Sequence, residues 1–340
     1  MSKCTKLGRT GLEVFPLAFG GIPIQRLTEK QAVEVVKRSV ELGVNLIDTA
    51  RAYSESEEKI GKALPEIEKR VFLATKTPAT DRQGALKDVD KSLKMLGVDK
   101  IDIYQLHGVN DDENYKKVME EGGALEGLKQ ARAEGKIDYI GITGHSNEIL
   151  LKALKTDEFA TVQFCYNFIE NDCEKELIPY ARENNIGMIG MKPLAGGRFR
   201  NASVALKYVL SQEGVVPDPG IETIEEIEEN VEIAAGDLEL TDEEKETMKE
   251  IREELGTVFC RRCEYCQPCP QEIPISLLLR AESFINRMPL DSLKSGFIAD
   301  AFSRADECTE CGVCMERCPY DLPIPDLIKE NKKIMDEYLS

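Results

Sequence analysis

The chain has no tryptophan and only two histidines, His107 and His145, among its 340 residues. Any histidine chemistry must use one of those two. It has no apolar run near the ~20 residues that a membrane-spanning helix needs. Residues 1–11 lack the apolar stretch of a secretion signal. Positive charge is short: 44 Lys and Arg stand against 62 Asp and Glu, a net charge of −18. That deficit argues against nucleic acid, whose phosphates would be repelled, and against an anionic membrane surface. Together these absences predict a cytoplasmic protein. What is present is ample material for a core, with 42% hydrophobic residues. The length is too great for one small domain and suits one large domain with a small appendix.

The 11 cysteines are unevenly placed. Cys4, Cys165 and Cys173 are scattered and read as core or incidental residues, and the rest lie beyond residue 259. Without a secretion signal, such clustering points to metal ligation and not to disulfides. Over the first 235 residues, β-rich runs alternate with amphipathic helical stretches. Strands are expected at 14–19, 44–48, 71–75, 101–106, 139–143, 161–166, 187–191 and 214–217. Residues 28–42 read as a helix with Thr28 at its N-cap and Ala32, Val35, Val36, Val40 and Leu42 at helical spacing. Eight strands alternating with helices predict a parallel (β/α)8 TIM barrel. A doubly wound open sheet fits less well, because no G-x-G-x-x-G follows the first strand. Residues 221–255 read as helical and acidic, a solvated face. The character of the sequence changes at 257. The expected domains are therefore 1–256, the barrel, and 257–340, a small α-helical iron–sulfur domain in which Leu277, Leu278, Leu279, Phe284 and Ile285 of a helical stretch at 275–305 supply a core.

In such a barrel, chemistry sits at the C-terminal ends of the strands. Asp48 ends the second expected strand in Asn45-Leu46-Ile47-Asp48-Thr49-Ala50, and Tyr53 follows it. Lys76 ends the third in Ala74-Thr75-Lys76, and His107 ends the fourth in Tyr104-Gln105-Leu106-His107. Consecutive strands are neighbours, so these four side chains can converge. A free tyrosine, with a pKa near ~10, is a poor acid at neutral pH. A nearby ammonium stabilises its phenolate. Lys76 can supply that charge if Asp48 holds it, and Tyr53 can then protonate a carbonyl oxygen as hydride reaches carbon. His107 can orient the same oxygen. Singly, each residue has a duller reading as a helix cap, a solvated lysine or a hydrogen-bonded core histidine. Their joint placement at three consecutive strand ends points to carbonyl chemistry.

The segment from Asn45 to Ala50 with Tyr53, Ser56-Glu57 and Ile60-Gly61, and the segment Ser92-Leu93-Lys94-Met95-Leu96-Gly97-Val98 with its following strand, resemble two signatures of the aldo-keto reductase family. The resemblance spans roughly residues 5–250. It implies a catalytic tetrad of Asp48, Tyr53, Lys76 and His107 and reversible carbonyl reduction with NADH or NADPH. It further implies a cofactor site that includes Gly21, Ile22, Asp48, Thr143, His145 and Gln163, the last in the position that holds the nicotinamide carboxamide. The family's Ser-Asn pair is replaced here by Thr143-Gly144, and its stacking aromatic by Met191. Lys192, Pro193, Leu194, Gly196 and Gly197 fall in the loop that covers the pyrophosphate. Aligned on Glu229-Asn230, the family's cationic contacts to a 2′-phosphate become Gly220, Ile221 and Glu226. A carboxylate repels phosphate and can accept from a ribose diol, so NADH is expected to be preferred.

The first cysteine block is Cys260, Cys263, Cys266 and Cys269, followed by Pro270. The second is Cys308, Cys311, Cys314 and Cys318, followed by Pro319. The second has the C-x2-C-x2-C-x3-C-P spacing of bacterial ferredoxins, in which the fourth cysteine serves the other cluster. The expected sets are Cys260, Cys263, Cys266 and Cys318 for one [4Fe-4S] cluster and Cys308, Cys311, Cys314 and Cys269 for the other. Structural zinc favours two C-x2-C pairs instead, and the third cysteine at the same spacing in each block argues against it. The function expected is an oxidoreductase acting on a small carbonyl or alcohol substrate, its clusters exchanging electrons with ferredoxin or another redox partner. The alternatives are clusters that only brace the fold, or a barrel that binds nucleotide as an electron-transfer or sensing module with little turnover. No flavin motif that would couple single electrons to hydride is present.

Overall fold

The computed structural model describes residues 4–199 and 201–340. The chain forms two compact units: one ends at Leu240, and the other holds Thr241–Ser340 together with a short segment that begins at Gly196.

The first unit begins with an antiparallel hairpin of β1 (Thr5–Lys6) and β2 (Glu13–Val14). Eight parallel strands follow. They are β3 (Phe19–Gly20), β4 (Leu46–Asp48), β5 (Phe72–Thr77), β6 (Ile101–Leu106), β7 (Ile137–Gly144), β8 (Thr161–Cys165), β9 (Gly187–Met191) and β10 (Val215–Asp218). They pair in sequence order from β3 to β10. The two ends meet: Ala18 N donates to Pro217 O and Gly20 N to Pro219 O, both at 2.9 Å, and Gly20 bridges Gly220. This is the barrel the alternation predicts.

The strands expected at 101–106 and 187–191 are found with those bounds. The one expected at 14–19 is not continuous. Pro16 has no N–H to extend a ladder, so Val14 pairs back with Thr5 and only Phe19–Gly20 joins the barrel. The hairpin has a packing role. Leu7 and Val14 join Ala18, Leu46, Ala74, Ile103, Ile189 and Val216 in a buried cluster separate from the larger one that lies between strands and helices.

The helix expected from Thr28 is Glu29–Glu41, with a capping box in which Thr28 and Gln31 satisfy each other's backbone N–H groups. The acidic region 221–255 is two helices, Ile224–Ala235 and Asp242–Gly256. Each opens with its own capping box, Thr223 with Glu226 and Thr241 with Glu244.

In the second unit, the stretch 275–305 is not one helix. It is Ile275–Leu278, Ala281–Ile285, Leu290–Lys294 and Phe297–Ser303, interrupted at Pro289 and at Gly296, whose φ is 80°. A longer helix, Ile324–Leu339, closes the chain. Leu278, Leu279 and Phe284 are buried in this unit's core with Phe302, Leu322 and Ile328, while Leu277 and Ile285 are partly buried against it. Among the described residues, no helix is long and apolar enough to cross a membrane.

Candidate active site and cluster loops

Strand pairing brings the four expected catalytic residues together. Asp48 ends β4, Lys76 lies one residue before the end of β5, and His107 directly follows β6. Register sets Asp48 beside Ala74 and Lys76 beside Gln105. Lys76 is 1% exposed and Asp48 2%. The Lys76 ammonium donates to Asp48 Oδ2, and to Thr49 O at 2.8 Å. Its Nζ is 5.2 Å from the centroid of the Tyr53 ring. Burial alone would lower the lysine pKa, but Asp48, Tyr53 and Asp218 together hold it above the usual value. His107 stands edge-on to Tyr53, with ring centroids 5.7 Å apart and planes at 83°. Burial first, and the Lys76 and Lys192 charges second, push the imidazole down to about 3. His107 is therefore neutral at physiological pH, able to donate one hydrogen bond and accept another.

The expected nucleotide contacts have the following surroundings. Gly21 packs where a Cβ would lie 2.8 Å from Asp48 O, and Ile22 follows it. The Thr143 hydroxyl already accepts from Gly108 N at 3.0 Å. Gly144 sits where a Cβ would meet Val109 O at 2.5 Å, which excludes an asparagine there. His145 Nε2 lies 2.9 Å from Lys192 Nζ. Gln163 is buried with its amide turned toward carboxylates. Met191 and Lys192 are half-buried, Pro193 is buried and Leu194 half-buried. Gly196 and Gly197 have φ of 72° and 92°, which suits glycine. Gly220 packs against Pro23 at the barrel closure. Glu226 is exposed, and its Oε2 accepts from Glu222 N at 2.7 Å and Thr223 N at 3.1 Å. It already takes the helix N-terminal donors that a phosphate would seek. On the same helix, Glu229 is exposed and Asn230 buried.

Two residues of the site were not anticipated. Gln105 Nε2 lies 3.3 Å from Asp48 Oδ1. Asp218 ends β10 and is buried; its Oδ2 accepts from Gln163 Nε2 at 2.9 Å, and the same nitrogen is 3.3 Å from Asp48 Oδ2. Asp218 sits between Pro217 and Pro219, so it reads as a turn residue just past a strand. The available signal was an acid at a strand end, as at Asp48.

In the second unit, the fields of the thiols link the two cysteine blocks. Cys318 acts on Cys263, and Cys260 and Cys263 act on Cys266. Cys308 and Cys269 act on Cys314. Burial first, then Cys260, Glu264 and Cys263, push the Cys266 thiol up to about 12. Cys269, Cys308, Cys311 and Cys314 line one cavity together with Pro325 and Ile328. Among the described residues, no three Cys, His, Asp or Glu side chains are grouped to hold a single ion. Four thiols around one cavity fit the corners of a cubane.

The backbone repeats between the blocks. Arg262 and Glu310, Glu264 and Gly312, and Glu272 and Asp321 occupy equivalent positions, all with φ between 52° and 78°. Loops that alternate between right- and left-handed backbone form N–H-lined concavities of the kind that hold phosphate and iron–sulfur groups. Backbone hydrogen bonds from Arg262 to Cys260, from Tyr265 to Cys263 and from Met315 to Cys314 fit that use. Burial first, then Arg262 and Arg287, push the Arg280 guanidinium down to about 10, with Cys260 opposing. The Arg262 and Arg280 guanidiniums near Cys260 suit an anionic group of four thiolates.

Residues 16–204 match the model of the aldo/keto reductase family, and residues 259–323 match that of a 4Fe-4S dicluster domain. Aldo-keto reductase YhdN of Bacillus subtilis (strain 168) is 32% identical over 201 residues, 54% of this chain; the match spans only 59% of that relative. L-galactose dehydrogenase of Arabidopsis thaliana is 27% identical over 296 residues, 72% of this chain and 92% of that protein. Among solved structures, a putative aldo-keto reductase from Pseudomona aeruginosa superposes with a TM-score of 0.60 at 28% identity, covering 68% of this chain and 94% of its own.

Proposed function

The chain belongs to the aldo/keto reductase family, and we propose that it reduces an aldehyde or ketone reversibly with NADH or NADPH, and that it carries two [4Fe-4S] clusters that exchange electrons with ferredoxin or another redox partner. The observation that carries the reading is the convergence of Tyr53, His107 and the buried Lys76–Asp48 pair at adjacent strand ends.

Nicotinamide, when bound, supplies the hydride. The protein's own part is the proton. Tyr53 gives its phenolic proton to the carbonyl oxygen, and the Lys76 ammonium stabilises the phenolate left behind. Asp48 and Thr49 O hold that ammonium in place. Neutral His107 hydrogen-bonds the same oxygen and fixes its direction toward Tyr53. In the alcohol-oxidising direction the Tyr53 phenolate takes the proton back. Gln163, Met191 and the Pro193–Leu194 turn are the candidate contacts to the cofactor. NADH preference is supported by Glu226 and Gly220, which offer no cation to a 2′-phosphate.

The clusters would supply one-electron transfer. Cys260, Cys263, Cys266 and Cys318 would hold one, and Cys308, Cys311, Cys314 and Cys269 the other. The functional division falls at 256/257, where the ligand-bearing sequence begins. The test is Tyr53→Phe. It is expected to lower kcat for carbonyl reduction by on the order of 10²–10⁴-fold, the usual worth of general acid catalysis, while nucleotide titration stays near that of the unmodified protein. Full activity in Tyr53→Phe would refute the assignment.

A further inference from the structure

We propose that Asp218 is a positioning residue for the proton transfer: its carboxyl shares a single proton with the Asp48 carboxyl, so the buried group behind Tyr53 is held electrically neutral. The inference rests on the reading of Tyr53 as general acid and adds a residue to it.

Asp48 and Asp218 end β4 and β10. Both are buried, at 2% and 7% exposure. One amide nitrogen, Gln163 Nε2, reaches Asp218 Oδ2 at 2.9 Å and Asp48 Oδ2 at 3.3 Å, so the two carboxyls lie side by side. Asp218 Oδ1 is buried and has no donor among the described residues. A Cβ on Gly20 would stand 3.1 Å from it, so β3 offers no polar group there.

The charged groups facing Asp218 are few. Asp48 faces it from β4 and Lys76 from β5. Gln163 from β8 is neutral, as is Gln105 from β6, which joins the network at Asp48. On β9, paired with β10, the rim residue is Met191, and the Lys192 ammonium after it is engaged with His145. Two carboxylates and one ammonium would leave a net negative charge in a site without water-facing relief. Two carboxylates at this separation cannot both stay ionised at low cost. One proton, taken from solvent, removes the repulsion and makes the Asp218 carboxyl a donor to Asp48. Burial first and Asp48 second push the Asp218 carboxyl well above the carboxylate range, with Lys76 opposing.

The consequence reaches Tyr53 through Lys76. A neutral acid that donates to Asp48 draws some of its charge away from the lysine. The ammonium is then free to act on the phenolate. An ionised Asp218 would instead cancel the ammonium's field.

The test combines infrared spectroscopy with pH profiles on the full-length holoprotein. Difference spectra between the unmodified protein and Asp218→Asn at neutral pH are expected to show a carboxylic-acid carbonyl band that the variant lacks. In the profile of kcat for alcohol oxidation, which falls as the Tyr53 phenolate is protonated, Asp218→Asn keeps a neutral donor toward Asp48, so this acidic limb should hold its position. Asp218→Leu removes the donor, and the limb should move up by on the order of one pH unit. No acid band, or a limb moved downward in Asp218→Asn as loss of a negative charge would cause, overturns the proposal. The band needs no turnover. If it is present while Tyr53→Phe stays active, the general-acid reading fails and the shared proton stands. If it is absent while Tyr53→Phe is dead, only the present inference fails.

Discussion

In the barrel, the Lys76–Asp48 pair is almost wholly buried and is held by strands whose partners on both sides are fixed. In the C-terminal unit, Cys263 and Cys311 are exposed, and of the other candidate ligands only Cys266 is buried. The barrel stands on a large apolar cluster between sheet and helices and a small one inside the sheet. The C-terminal unit has a single cluster, smaller than the barrel's main one, and, before its last helix, mostly helices of four to seven residues. Helices that short do not stand alone in water. The barrel is therefore expected to organise its site by packing before any ligand arrives, and the second unit to depend on ligation to complete its fold.

The sharpest test of this contrast is removal of iron. The anaerobically prepared protein is expected to hold about eight iron and eight sulfide, as two cubanes require. Cys314→Ser should lose about four of each. Chelation should abolish amide-exchange protection over residues 259–339 and leave that of β4 to β9 intact. Equal loss in both units would break the comparison, and stoichiometric zinc without sulfide would remove its basis. A smaller effect is expected from core truncation. Ile103→Ala, inside the barrel, should cost about 2–5 kcal/mol in denaturant unfolding with or without iron. Leu278→Ala should cost a similar amount only in the iron-loaded protein, because the stripped unit has no cooperative transition left to shift. The smallest effect is at the nucleotide rim. Glu226→Arg should move preference toward NADPH by about tenfold, or ~1.4 kcal/mol, and loosen its helix by ~1 kcal/mol through loss of the capping box. Tighter NADPH binding by the unmodified protein would show that Glu226 does not face the 2′ position.

Much of the catalytic geometry was legible because it is local. Asp48, Lys76 and His107 lie within one residue of strand ends, and a (β/α)8 alternation makes those ends neighbours. The nucleotide rim was less legible. That the Thr143 hydroxyl is taken by Gly108 N, that Gly144 is sterically required and that Glu226 caps a helix are facts of loop packing. The first strand was misjudged because Pro16 divides an otherwise apolar run, and the stretch 275–305 because Pro289 and Gly296 interrupt its helical pattern.

Sequence alone determined the order of the elements, the placement of a tyrosine, a lysine and two acid–base partners near one rim, and two cysteine blocks of matching spacing. Period and spacing are properties of the chain and survive without coordinates. Tertiary structure decided which groups share an environment. Barrel closure carried Asp218 to Asp48, and the fold of the second unit brought Cys318 within the field of Cys263 and Cys269 within that of Cys314. Desolvation and Coulomb coupling act through space and depend on distance and burial. Residues far apart along the chain can therefore come to hold one proton between them.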